Sequence, residues 1–202
     1  MEIAVRDANE ADLRFVRRLA PEAILHTVPY SRTTPNSAVS ARSRENLRSL
    51  SADDDTIILI AYRVDNERPV GYLILKLDDI DGATGDRQSN IFDLAVEPRH
   101  WGTPAVRHLV HEAARRTAEA GLSHMSGEIT AHNQRTYLQA LRLGFELERF
   151  QIVMGCSTEG PVPLPSRAES ERAYQASRDK DRPSRQVAGN WRDVRRQRGS
   201  NH

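Results

Sequence analysis

The 202 residues carry 29 Lys+Arg against 28 Asp+Glu, a formal charge of +1, which excludes a chain-wide electrostatic attraction to nucleic acid or membrane. The length suits one domain with a sizeable core plus an appendage, and Cys156, the single cysteine, excludes an intrachain disulfide and a zinc cluster built on cysteines. The acidic start MEIAVRDANEADL and the lack of any apolar run near a membrane span (~20 residues) predict a cytoplasmic protein with no membrane partner.

Ile3 and Val5 alternate with polar neighbours, as in a short strand, and Asn9 is placed to cap a helix that buries Leu13, Val16, Leu19 and Ala20. Residues 21–55 are polar and broken by Pro21, Pro29 and Pro35, with SAVSARSRENLRSL forming a weakly amphipathic second helix. TIILIAYRV (56–64) and PVGYLILKL (69–77) read as a hairpin in mid-sheet, because both are apolar on both faces. DIDGATGDRQS is a polar loop, NIFDLAV (90–96) the next strand, and a helix opening at Pro104 runs to Gly121. LSHMSGEITA reads as a strand, Asn133 to Leu143 as a helix stopped by Gly144, and FELERFQIVMG as a last strand.

Helices between single strands imply parallel pairs and hairpins imply antiparallel ones, so an α/β (α+β) fold with a mixed central sheet flanked by helices is expected. The domain should occupy residues 1–156. From 157 to 202 a linker with Pro161, Pro163 and Pro165 leads into an Arg-rich tail, predicted to be disordered. From Pro161 onward ten basic residues face five acidic ones, so an acidic or RNA partner is weighed for the tail.

Three phrases carry a family resemblance. IAVRDANEADL supplies Arg6, Ala8, Asp12 and Leu13; DLAVEPRHWGTPAVRHL supplies a strand, a tight turn and a helix; NQRTYLQALRLGF supplies Asn133 and Leu143-Gly144-Phe145. In this order they resemble the GNAT superfamily, over roughly residues 3–154. The resemblance implies transfer of an acyl group, acetyl above all, from acyl-CoA to a primary amine, with acetyl-CoA as co-substrate and no metal. The acceptor would be a small-molecule or protein amine, and a homodimer is compatible.

By the same resemblance the coenzyme pyrophosphate meets the turn and helix start, where helix N–H groups and the dipole favour an anion. The family signature Gln/Arg-x-x-Gly-x-Gly/Ala falls on Trp101-Gly102-Thr103-Pro104-Ala105-Val106, so Pro104 replaces a glycine and removes an N–H donor. Gly102, Thr103, Ala105, Val106 and Arg107 retain theirs. Thr103 is assigned to cap the helix or bond phosphate, and Arg107 and Arg99 to offer charge. The competing reading of WGTP is an ordinary strand-to-helix turn.

The resemblance also implies that, on the preceding strand, the Leu94 and Val96 backbone N–H groups meet the thioester and pantetheine arm and that Asp93 removes a proton from the amine. Asp93 also reads as a strand-end polar residue facing solvent or paired with an Arg. Glu128 is a second carboxylate. The family's late-helix Tyr, seven residues after Asn133, falls on Ala140, leaving Tyr137 as the nearby phenol that would protonate the leaving thiolate or simply pack. Asn133 would bond pantetheine or cap its helix. His26, Tyr30 and Arg32, in the long early connection, are the acceptor-side residues that the resemblance implies, the competing reading being ordinary loop chemistry. His100, His108, His111 and Glu112 lack a metal-binding phrase, and Cys156 lacks an activating partner. Pro104 and Ala140 keep open the alternative of a non-catalytic GNAT domain acting as a binding or assembly module.

Overall fold

The computed structural model describes residues 1–153, and the linker and Arg-rich tail lie outside them. Met1–Arg149 form one compact unit, and of the second unit only residues 150–153 are described, without regular secondary structure. The first unit is built from β1 (Ile3–Asp7), α1 (Glu10–Ala23), α2 (Asn36–Leu50), β2 (Thr56–Arg63), β3 (Pro69–Ile80), β4 (Arg87–Val96), α3 (Ala105–Glu119), β5 (Met125–Gly127) and α4 (Gln134–Arg142), with short 3-10 turns at Ile24–His26 and Pro98–His100.

The sheet is mixed, as expected: its order is β1-β2-β3-β4-β5, with the first three pairs antiparallel and β4–β5 parallel. The β1–β2 pair departs from the rule that an intervening helix makes neighbours parallel. Two helices, not one, separate these strands, and β2 begins beside the end of β1, with Asp7 opposite Leu59. Alternate residues divide the core. Leu59, Ala61, Leu73, Leu75 and Val96 face α3, where Ala105, Leu109, Val110 and Ala113 cover them. Ile60, Tyr72, Ile74 and Ala95 face α1 and α2 through Phe15, Val16, Leu19, Leu47 and Leu50.

Asn9 caps α1 in a reciprocal box: its side chain accepts from the Asp12 N–H, and the Asp12 carboxylate accepts from the Asn9 N–H. Asp12 is buried and also bonds Arg6 from β1, whose guanidinium lies 5.0 Å from the centre of the Tyr62 ring. The Arg6/Asp12 phrase therefore ties β1 to the start of α1. Pro21, expected to break the chain, lies inside the last turns of α1, where its ring is buried. The predicted loop after Leu77 shrinks because β3 and β4 extend to Ile80 and from Arg87. Asp81 closes the remaining tip by accepting from the Ala83 and Thr84 N–H groups.

Two strand expectations are corrected. LSHMSGEITA contributes only Met125–Gly127, and residues 145–153 of the expected last strand are not strand. After Gly127 the next large apolar residue, Ile129, is exposed and does not bind that stretch to the sheet; in the other segment, Phe145 instead packs beside Leu143 against the α3-side core.

Gly71 is required by close approach. A Cβ there would stand 2.7 Å from Val96 Cγ2 and 2.8 Å from the Ala95 carbonyl oxygen, which is backbone and cannot rotate away. Gly71→Ala is expected to cost about 1–3 kcal/mol by overpacking. Urea unfolding measures it, and an unchanged midpoint would refute the close fit.

Candidate active site

β4 parts from β5 in mid-course, which creates the site. The two strands pair only at Ser89, Asn90 and Ile91, opposite Met125, Ser126 and Gly127. Asn90 secures this stretch by donating from Nδ2 to Ser126 Oγ at 2.9 Å. On the β3 side, Ile74 opposes Asp93 while Leu75 opposes Ile91, so Phe92 is an extra residue in β4. Such a bulge bends a strand and shifts its alternation by one.

Beyond the bulge, the Glu97 N–H donates to the Val70 carbonyl on β3. Alternation then turns the Val96 and Leu94 N–H groups away from β3, onto the edge that β5 has left open. These are the two amides the sequence assigned to the thioester and pantetheine arm.

Asp93 lies across from Ile74, on the α1/α2 face. Its carboxylate accepts from the Tyr72 hydroxyl at 2.6 Å. Tyr72 is wholly buried, and both burial and the Asp93 charge push its phenol far above its usual pKa. Burial also raises the Asp93 carboxyl, outweighing the lowering by the Tyr72 hydroxyl and the Leu94 N–H. Among the described residues Asp93 forms no ion pair with an Arg. Sequence reasoning missed Tyr72, which was read only as strand core. The signal was one phenol in the otherwise aliphatic run Val70–Leu75.

The turn before α3 starts at Gly102, whose φ of +84° is a left-handed conformation that suits glycine. The first helical bond there runs from the His108 N–H to the Pro104 carbonyl. Among the described residues, the N–H groups of Gly102, Ala105, Val106 and Arg107 make no backbone bond outside the helix, and Pro104 has none to offer. Thr103 does not cap the helix as expected, since its hydroxyl donates to the His100 carbonyl at 2.8 Å and its N–H turns to the same oxygen.

Arg107 is exposed and forms no ion pair among the described residues. Arg99, also expected to offer charge, is held by buried Glu97, which Arg18 of α1 bonds as well. Burial raises the Glu97 carboxyl, but these two guanidinium groups hold it below its ordinary range. Burial and the Arg99 charge lower His100.

Trp101 donates its Nε1–H to the Val96 carbonyl at 2.8 Å, folding the turn back over the end of β4. Arg135 of α4 lies over the indole, 4.8 Å from its centre. Neither Trp101 nor Arg135 was singled out from the sequence as a contact pair, because 34 positions separate them.

Asn133 caps α4 by accepting from the Thr136 N–H at 3.3 Å. Tyr137 sits on the same helix, partly buried, and Glu128 is exposed just beyond β5. The acceptor-side residues separate into two places. Tyr30 stacks on His132 with ring centres 4.2 Å apart, and the His26 carbonyl meets His132 Nε2 at 3.3 Å, so the segment after α1 docks on the segment after β5. Arg32 instead lines a cavity of about 230 Å³ with Ile24, Val28, Val39 and Arg42, and Asp93 is not among its walls.

His108 Nδ1 is bonded with the Ile3 carbonyl, while Glu112 is held by Arg115 and Arg116 and brought down to about 2. Among the described residues no group of His, Cys, Asp and Glu could hold a metal, and no helix is long and apolar enough to cross a membrane.

Comparison with known proteins agrees with this fold. The fold is similar to an acetyltransferase from Pyrococcus furiosus described as putative, at a TM-score of 0.64 and 15% identity, covering 77% of this chain and 100% of that one. It is also similar to an aminoglycoside 6'-N-acetyltransferase from Acinetobacter haemolyticus (TM-score 0.57, 16% identity, 78% and 99% covered). A third is an aminoglycoside N-acetyltransferase solved in complex with CoA (TM-score 0.56, 18% identity, 78% and 95% covered). No curated protein matches by sequence. The model of the acetyltransferase (GNAT) family matches residues 25–145, which include the bulged strand, the glycine turn and α3, and the chain therefore belongs to the GNAT acetyltransferase family.

Proposed function

We propose that this protein transfers an acetyl or other acyl group from acyl-CoA to a primary amine by direct attack. The observation that carries the reading is the open edge of β4, where the Leu94 and Val96 amides point outward beside the Asp93 carboxylate. The solved relative holding CoA supports the choice of donor. The pyrophosphate would meet the N–H groups of Gly102, Ala105, Val106 and Arg107 and the Arg107 side chain. Thr103 would contribute little, its hydrogen being committed to His100.

In the reaction, the amine nitrogen forms a bond to the thioester carbonyl carbon, and the carbonyl electrons move to oxygen, where the Leu94 and Val96 amides would donate. Asp93 takes the amine proton, directly or through one water, with Tyr72 holding its other oxygen. As the carbonyl re-forms, the C–S bond breaks and the thiolate leaves, taking a proton from Tyr137 or water. His26 and Tyr30, on the segment docked after β5, would receive the acceptor, whereas Arg32 turns into a separate cavity.

Thermal unfolding with and without acetyl-CoA tests this. At 100 times the dissociation constant, linkage stabilises the folded state by about 2.7 kcal/mol, an expected rise of about 5–10 °C. No rise at millimolar acetyl-CoA, with none from adenosine at the same concentration, would replace this reading with the non-catalytic module, which the missing amide at Pro104 favours.

A further inference from the structure

The turn before α3 has lost a phosphate donor, and the structure brings a different group to the same place. Pro104 has no N–H, and the Thr103 hydroxyl is spent on the His100 carbonyl. Arg6, Arg18, Arg99, Arg115 and Arg116 are all engaged by carboxylates. Arg135 is not: it forms no ion pair among the described residues, and its guanidinium lies 4.8 Å above the Trp101 ring.

Trp101 immediately precedes Gly102, the first of the free amides, and its indole is pinned by the bond to the Val96 carbonyl. A planar guanidinium stacked on an anchored ring is held in place with its edge N–H groups still free to donate. Its position is the junction between the open edge of β4 and the helix start. Across that junction a coenzyme must pass from its uncharged pantetheine arm to its charged pyrophosphate.

We propose that Arg135, delivered from α4 and seated on Trp101, is a pyrophosphate-binding residue of this chain that compensates for the amide missing at Pro104. The inference rests on the acyl-CoA reading above. It makes Trp101 a positioning residue, acting through the ring face on which Arg135 rests. It also gives α4 a part in coenzyme binding that does not depend on Asn133 or Tyr137.

Isothermal titration on the full chain tests the assignment with three probes: acetyl-CoA, dephospho-CoA, which keeps the pyrophosphate, and acetyl-pantetheine, which lacks it. Arg135→Met preserves the apolar stem on the indole but removes the charge. It should weaken acetyl-CoA and dephospho-CoA about tenfold and leave acetyl-pantetheine unchanged, the size of one lost charge-assisted bond. The loss should shrink in higher salt.

Pro104→Ala restores an amide at the helix start, and in the Arg135→Met background it should recover much of the loss. Equal weakening of all three probes would show that Arg135 only packs, and unchanged binding of all three would remove it from the site; either overturns the proposal while leaving the acyl-CoA reading intact. If the unmodified protein binds neither acetyl-CoA nor dephospho-CoA, the parent reading falls and this one with it. Unfolding of each variant by circular dichroism separates lost binding from lost structure.

Discussion

Asp93→Asn lowers turnover by about 10²- to 10⁴-fold while leaving the affinity for acetyl-CoA unchanged, because it removes a proton acceptor without altering the amides on β4. The same substitution raises thermal stability at neutral pH. Burial raises the Asp93 carboxyl in the folded chain, so ionising it there costs more than in the unfolded chain. For a raised carboxyl, that stability is complete below the unfolded value, about pH 4, and is lost as pH climbs through the folded value.

The stability difference between variant and parent should therefore be present at pH 7 and vanish near pH 3. Asparagine can still accept from the Tyr72 hydroxyl, so no buried donor is stranded. A paired loss of activity and gain of stability is the signature of a functional buried charge; a variant with full turnover would remove Asp93 from the mechanism. Tyr72→Phe supplies the second arm. It deletes the hydroxyl that lowers the Asp93 carboxyl, so the acidic limb of the pH–rate profile moves to higher pH. A limb that stays in place would mean that another group is titrating.

Asp12→Ala has the largest expected effect on stability. It removes one half of the reciprocal cap, leaving the Asn9 N–H without its acceptor while the Asn9 side chain still accepts from the backbone N–H at position 12, and it removes the partner of Arg6. Losing a buried pair typically costs about 3–5 kcal/mol, and because Arg6 keeps some contact with water the expected value here is about 2–3 kcal/mol. That corresponds to a fall of roughly 5–10 °C in melting temperature for a domain of this size. Asp12→Asn keeps an acceptor for the Asn9 N–H and should cost less. If the two variants are equal, the charge on Asp12 matters and the cap does not.

The two carboxylates show how differently sequence and structure report on a site. Asp12 was legible: a capping residue, an acid three positions on and a helical apolar repeat define a helix start, because the interactions that stabilise it span one turn of chain. Asp93 was legible only by analogy, and its environment not at all. Tyr72 reaches it across two strands paired in a register that the Phe92 bulge shifts by one, and no local pattern encodes a bulge of that kind.

The turn before α3 divides in the same way. Pro104 announced both a helix start and a missing donor, since proline's geometry acts on its own residue and its neighbours. That Thr103 turns to His100, that Glu97 occupies Arg99, and that Arg135 rests on Trp101 required the folded chain. The segment 145–153 was misread as strand because its composition favours one, but a strand forms only where a partner edge accepts it.

By itself, then, the sequence determined the helices, the three long strands, the family and the amide lost at Pro104, all properties of neighbouring residues and their periodicity. The tertiary structure alone decided the phenol that holds Asp93, the amides that face the open edge, and the cation that rests on Trp101. Each depends on segments far apart in the chain meeting in a register that only the packed sheet and helices impose.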